Sequence, residues 1–312
     1  MRFAISIPQF YGDGEFSPAD FREYFARAES FGVYESAWAQ EMPLSAAPQL
    51  APLEVMTYAA ACTSSLRLGC TVFVTTLHSP VHLAKNLATL DQLSRGRLEV
   101  GVGSGGPRRP FGAFGISGDR YVARFTEGIR LMKALWTEPS VTFDGDFWQL
   151  KDAAMEPKPY QKPYPRLWFG GSAEAAVRRG VRLCDGFFGA GSSSTQAFAT
   201  QVSVARDALA AAGRREGFGP GEFPIAKRVY IAVSDDAAAA RRRLYASLER
   251  LYGRRSDEVE AAAIAGTPED CAAKVAEVAT AGAGLILFTP MFEQAQQAER
   301  LAAEVVPRVR AG

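Results

Sequence analysis

Histidine occurs only twice in the 312 residues, as His78 and His82, and that scarcity narrows the chemistry. A Ser-His-Asp hydrolase would have to recruit one of them, and no G-x-S-x-G is present: Ser104 has Val102 two places before it, and Ser172 has Glu174 two places after. The two histidines are spaced as ligands on one helical face, but Ser79-Pro80 between them reads as N-cap and first helical residue. His78 then falls outside the helix, and we expect no metal site. The four cysteines, Cys62, Cys70, Cys184 and Cys271, include no C-x-x-C pair. That excludes a zinc ribbon or disulfide framework and suggests a reducing, cytoplasmic compartment. An excess of charge is missing too, with 35 Lys plus Arg against 34 Asp plus Glu, a net +1. No long-range field gathers polyanions, so a nucleic-acid partner is not expected. Long apolar runs are also lacking. The stretch from Leu68 to Ala84 carries no charge but contains Pro80 and both histidines, and the N-terminal MRFAISIPQF is broken at Pro8. Neither reads as a spanning helix or a signal peptide, so no membrane association is expected.

Hydrophobic residues make up 47% and charged residues 22%, the composition of a folded, soluble chain. Short β-rich runs alternate with amphipathic segments almost throughout. Phe3 to Ile7 reads as a strand, and Ser17-Pro18-Ala19-Asp20 supplies N-cap, helical proline and an acid for the helix FREYFARAESFG. Strands follow at 36–40, 66–76, 98–103, 167–171, 186–189, 227–233 and 285–289, each with a helix after it. Such alternation fits either a doubly wound sheet or a closed barrel, and eight units in about 300 residues favour a (β/α)8 TIM barrel. Two insertions interrupt this single domain. One, at 141–166, contains VTFDGDFWQL, where Asp144-Gly145 signals a hairpin turn, and then a proline-rich stretch; a smaller one spans about 253–266.

In such a barrel the loops leaving the C-terminal ends of the strands carry function. After the fourth strand comes GVGSGG, from Gly101 to Gly106, which matches G-x-G-x-x-G. The dinucleotide fingerprint needs a helix to begin there, and Pro107, Pro110, Gly112, Gly115 and Gly118 prevent one. A plain flexible loop is one reading. Close approach of backbone to a flat or phosphorylated ligand is the other, and the glycine spacing favours it.

The run LAKNLATLDQLSRGRLEVGVGSGG resembles the signature of the bacterial-luciferase-like flavin and deazaflavin oxidoreductases. LGCTVFVTTLHSPVHLAK, RFTEGIRLMKALW, EPKPYQKPYP, WFGGSAEAA and RLCDGFFGAGSSS resemble the same family in the same order, over nearly the whole chain. The resemblance implies a (β/α)8 barrel with a flavin or the deazaflavin F420 at its C-terminal mouth. It implies a non-proline cis bond in the third strand, at Thr71-Val72, whose bulge props one face of the ring system. It also implies ring contacts at Ser104 and Gly105, and phosphate contacts at Gly170, Gly171 and Ser172. That last turn has a reason of its own, since a helix beginning at Ala173 offers unpaired N–H groups to an anion, although Ser172 reads equally as a plain N-cap. Ser192, Ser193 and Ser194 could receive phosphate or simply cap the next helix.

Dehydrogenating relatives carry an acid followed by His after the second strand, and some a Glu after the fourth-strand glycines. Here Gln40-Glu41-Met42 and Gly105-Gly106 stand in those places. Glu41 remains, but the His and the second Glu are absent; alcohol dehydrogenation needs a positioned base, so we prefer reduction of an activated C=C or C=N, with the proton coming from His78, Glu41 or water. Phe10, Tyr11, Trp38, Met42, Phe111 and Phe114 would form an apolar wall at the mouth for an apolar substrate. The expectation is therefore an F420-dependent oxidoreductase, homodimeric by the resemblance and served by an F420 or flavin reductase. The alternatives are an FMN-dependent two-component monooxygenase and a catalytically silent flavin-binding protein.

Overall fold

Eleven strands follow one another along the chain in the computed structural model, which describes residues 1–11, 16–45, 47–106 and 109–311. They are β1 (Arg2–Ser6), β2 (Tyr34–Ala39), β3 (Arg67–Val74), β4 (Leu98–Gly103), β5 (Val141–Asp144), β6 (Gln149–Ala153), β7 (Leu167–Phe169), β8 (Gly186–Gly189), β9 (Ile225–Val233), β10 (Ile264–Gly266) and β11 (Leu285–Thr289). Eight of them pair in parallel in the order β1-β2-β3-β4-β7-β8-β9-β11, and β11 returns to β1. The ring is closed, so the sequence's alternation is that of a barrel and not of an open sheet. Pro107 in the fourth-strand loop lies outside the described residues.

Local signals start the helices where the sequence places them. Ser17 accepts a hydrogen bond from the Asp20 amide ahead of α1 (Pro18–Ser30), and α2 (Pro52–Cys62) and α3 (Pro80–Leu93) each begin on a proline. After α4 (Tyr121–Thr137), α5 (Glu174–Leu183), α6 (Thr195–Ala211), α7 (Ala237–Tyr252) and α8 (Asp257–Ala262), a Thr267/Asp270 capping box opens α9 (Pro268–Thr280). The short helices α10 (Gln294–Arg300) and α11 (Val306–Ala311) close the chain.

Both insertions hold structure of their own. β5 and β6 form the expected antiparallel hairpin, but Asp144 pairs with Gln149, so the connection is the four-residue loop Gly145–Trp148 instead of a two-residue turn. Tertiary contact explains the difference: Glu127 of α4 accepts the amides of Asp146, Phe147 and Trp148. The second insertion contains α8 and β10, a strand too short to register in the sequence, which pairs with Ile231–Val233 beyond the barrel rim. All nine residues of β9 are therefore buried, its first part in the barrel and its last part beneath β10.

The main core lies between the barrel wall and the helices. A second, smaller one fills the barrel's interior, where Trp38 meets Trp168 edge-on at 5.7 Å and Phe188 at 4.8 Å between ring centroids. Residue 69 must be glycine for this, because a Cβ there would lie 2.4 Å from the Trp38 ring. Trp38 is 1% exposed, so it forms the plug beneath the mouth and not, as expected, part of a substrate wall. Strand parity points its ring inward, and packing against Trp168 turns it down the barrel axis.

Candidate active site

β3 carries an irregularity at its middle. Cys70 pairs with Val100 and Phe73 with Val102, so three steps on β3 match two on β4, which is a bulge. The Thr71-Val72 bond inside it is cis, as the resemblance implies. The bulge sends the Val72 side chain toward two neighbouring strand ends. A Cβ at Gly103 would stand 2.7 Å from Val72, and one at Gly170 would stand 2.6 Å away. These glycines are thus the space that Val72 occupies, and together they make a bare backbone surface around one apolar side chain.

The loops above β2 and β3 are tied to this surface. Glu41 leaves the end of β2 and divides its carboxylate: Oε2 accepts the Val74 amide at 2.6 Å, and Oε1 lies 2.8 Å from His78 Nε2. The Glu41 side chain is 7% exposed and that of His78 28%, so the pair has a buried and an accessible member. An ionised carboxylate only accepts, which places the hydrogen on the ring nitrogen facing it and leaves Nδ1 as the second site. The Phe73 ring stands edge-on to the imidazole at 6.2 Å. Thr75 Oγ1 donates to the Gly103 carbonyl and Thr76 Oγ1 to the Ser104 carbonyl, at 3.2 and 3.0 Å. Ser104, and Gly105 with its φ of +74°, are thereby held beside the bulge.

On the neighbouring strand, Gly170 donates its amide to the Val102 carbonyl, and α5 begins at Glu174. Ala173 is its N-cap and offers no side-chain cap, one residue later than the sequence suggests, so Gly171 and Ser172 lead into an uncapped helix end. The serine cluster divides its labour. Ser194 caps α6 through the Ala197 amide, the Ser193 carbonyl accepts the Lys227 ammonium at 2.9 Å, and Ser192 lies beside the Tyr252 phenol. Tyr252 and Tyr230 hydroxyls meet at 2.9 Å.

Several of these residues escape a sequence reading. Lys227 and Arg228 sit within a strand that has no solvated face, and two consecutive cations in a run of buried aliphatics were the signal to follow. Lys227 points outward and is 2% exposed; burial, reinforced by Arg228, pulls its ammonium down to about 7. Arg228 points inward, 6% exposed, and donates to Gln40 Oε1 and more weakly to the Ala39 carbonyl. Of the expected apolar wall, Phe10 and Met42 pack in one cluster with Tyr230. Tyr11 leans instead on Phe16, and Phe111 on Tyr121. Burial pushes the Cys184 and Cys271 thiols up to about 12 and raises that of Cys70 as well, which leaves them protonated and inert.

The FMNH2-dependent dimethylsulfone monooxygenase of Pseudomonas putida is 38% identical over 152 residues, which cover 48% of this chain and 42% of that protein. The F420-dependent glucose-6-phosphate dehydrogenase of Kineococcus radiotolerans is 27% identical over 326 aligned positions, 95% of this chain and 94% of that one. The solved structure of monooxygenase RslO1 from Streptomyces bottropensis superposes with a TM-score of 0.83 at 26% identity, over 98% and 99% of the two chains. Residues 1–284 match the luciferase-like monooxygenase family, and with the barrel, the third-strand bulge and the bare glycine surface in place, the chain belongs to that family.

Proposed function

We propose that the chain is an F420-dependent oxidoreductase that reduces an activated C=C or C=N bond of an organic substrate. The observation that carries this reading is the Glu41–His78 pair, a fixed carboxylate and a half-open imidazole 2.8 Å apart at the rim of the barrel's C-terminal mouth. Bound there, reduced F420 would supply a hydride from the deazaflavin C5. Val72 would support one face of the ring system, Ser104 and Gly105 its edge, and Gly170, Gly171, Ser172 and the uncapped start of α5 its phosphate. Ser192 and Ser193 stand within the same rim. The fit rests on chemistry already described, namely a bare backbone surface for the ring and free amides for the anion. Glu41 holds the imidazole in one orientation, and His78 delivers the proton to the substrate atom next to the one that receives hydride.

The sequence places no His directly after Glu41, which weakened the case for a positioned base. In the fold the His78 imidazole reaches Glu41 from the next strand's loop instead, and this contact supports assigning proton transfer to the pair.

A second reading, an FMN-dependent monooxygenase served by a separate reductase, draws support from the 38% identity to the dimethylsulfone enzyme over half the chain. Titrating the purified protein with F420 and with FMN separates the two, since tight FMN binding without affinity for F420 overturns the first. Replacing His78 or Glu41 by Gln is expected to lower turnover about a hundred- to ten-thousandfold. Unchanged turnover in both variants refutes their role.

A further inference from the structure

Of the two buried cations on β9, Lys227 is the one that faces away from the barrel axis. It is 2% exposed, and no carboxylate pairs with it among the described residues. Burying an unpaired ammonium is costly, and a methionine would fill the same space without that cost. What the charge does is visible in its three donors. They go to the carbonyls of Ala190, of Ser193 at 2.9 Å and of Arg228 at 3.1 Å. The Phe198 ring of α6 lies beside the ammonium, 5.8 Å from nitrogen to centroid. Two of the three acceptors belong to the loop that leaves β8, so the side chain clasps that loop from behind. Gly189 makes room for the clasp, since a Cβ there would stand 3.0 Å from Lys227 Cδ and 2.5 Å from Phe198. The loop also closes on itself: the Ser193 amide donates to the Ala190 carbonyl at 3.1 Å.

A loop whose carbonyls are drawn to one cation has its amides left over. Gly191 is buried, yet neither its amide nor that of Ser192 donates to an acceptor among the described residues. Residue 191 must be glycine for the chain to lie so close to β9, because a Cβ there would stand 2.7 Å from the Tyr230 ring and 3.0 Å from Arg228. Arg228 points into the barrel, so this part of the loop borders the mouth while the ammonium sits behind it. Strands β7 and β8 are neighbours, which puts the loop next to the Gly170-Gly171-Ser172 turn. Successive unpaired amides form a concave seat for an anion. We propose that Lys227 is a positioning residue for the coenzyme: its ammonium holds the β8 loop in the shape that offers the Gly191 and Ser192 amides to a phosphate. The bearer of that phosphate, F420 or FMN, is taken from the reading above; the shape of the loop is not.

The test is calorimetric titration of the purified protein at pH 6, below the value to which burial pulls the Lys227 ammonium. The ligands are F420 and FMN and the two matching alcohols without phosphate, the deazaflavin ribityl alcohol and riboflavin. Lys227→Met is expected to weaken the phosphate-bearing coenzyme at least about tenfold and its alcohol less than about twofold. Lys227→Arg, which keeps the charge, should recover most of the loss. Hydrogen exchange on the wild type serves even where a variant does not fold: the Gly191 and Ser192 amides should be protected by the phosphate-bearing coenzyme and not by its alcohol. Equal weakening of coenzyme and alcohol in Lys227→Met, unchanged affinity for both, or no protection of these two amides by the coenzyme overturns the proposal. Wild type that binds neither F420 nor FMN defeats the coenzyme reading instead. The clasp then stands if residues 190–193 exchange faster in Lys227→Met than in wild type, and falls if they do not.

Discussion

Arg97 and Arg228 are both drawn into the barrel wall, one near its N-terminal end and one near its C-terminal end, and they are treated in opposite ways. Arg97 spends every donor it has, on the carbonyls of Ser94, Leu66, Ala60 and Thr63 and on the Thr63 hydroxyl. Around it the same economy holds. Glu29 accepts the amides of Ser64, Ser65 and Leu66, and Glu99 accepts Arg67 at 2.5 Å and the Trp168 indole at 2.6 Å. Arg228 keeps a donor in reserve, with two orphaned hydroxyls among the residues beside it. The N-terminal end has a cavity of about 490 Å³, larger than the apolar pocket of about 380 Å³ beside Phe10, yet its buried acids are matched by cations and indole. Size alone is thus a poor guide to which end does chemistry. Unmet polar groups on rigid strands are the better one.

Substituting the two arginines alike breaks or sharpens that contrast. Arg97→Met leaves five acceptors without a donor and is expected to cost about 3 kcal/mol in denaturant unfolding. Arg228→Met removes a buried charge with only neutral partners and is expected to stay within about 1 kcal/mol of wild type, or above it. Equal losses in both would erase the distinction.

A smaller effect concerns pH. Because burial lowers the Lys227 ammonium to about 7, the unfolded chain binds more protons than the folded one between that value and the ordinary lysine range. Folding stability should therefore rise with pH there, by about 2 kcal/mol between pH 7 and pH 9. Lys227→Met should flatten that slope whatever constant offset it brings, and parallel curves for the two proteins would contradict the assignment. The smallest effect belongs to Glu35 at the N-terminal end. Burial raises its carboxyl, Arg2 opposes this and Glu99 adds to it. A raised carboxyl loses stability as pH rises through it, so the stability of Glu35→Gln relative to wild type should be higher at pH 7 than at pH 4, compared by thermal melting.

Much of the scaffold is legible in the chain because local chemistry and burial agree there. Strands such as 98–103, 186–189 and 285–289 are short apolar runs bounded by turn residues, and Ser17 and Thr267 do the capping that their surroundings announce. What was lost depended on distance across the fold. The His78 imidazole meets Glu41 only because β2 and β3 lie side by side, and Glu127 reshapes a hairpin loop from another element. Arg228 is rooted in the middle of β9, where a strand pattern marks the side chain as inward but not as long enough to reach the polar groups beneath the rim. Trp38 was misplaced because alternation along a strand separates inside from outside but says nothing about depth. The cis bond at Thr71-Val72 came from resemblance alone, since no residue pattern in LGCTVFVTT demands it.

Trp38, Trp168 and Phe188 give the barrel a stopper, and a vessel stoppered at one end has a single doorway. A coenzyme and a second molecule that both lodge above the stopper must queue: the deeper guest arrives first and departs last, and a tightly held companion becomes a gatekeeper for its partner's exit.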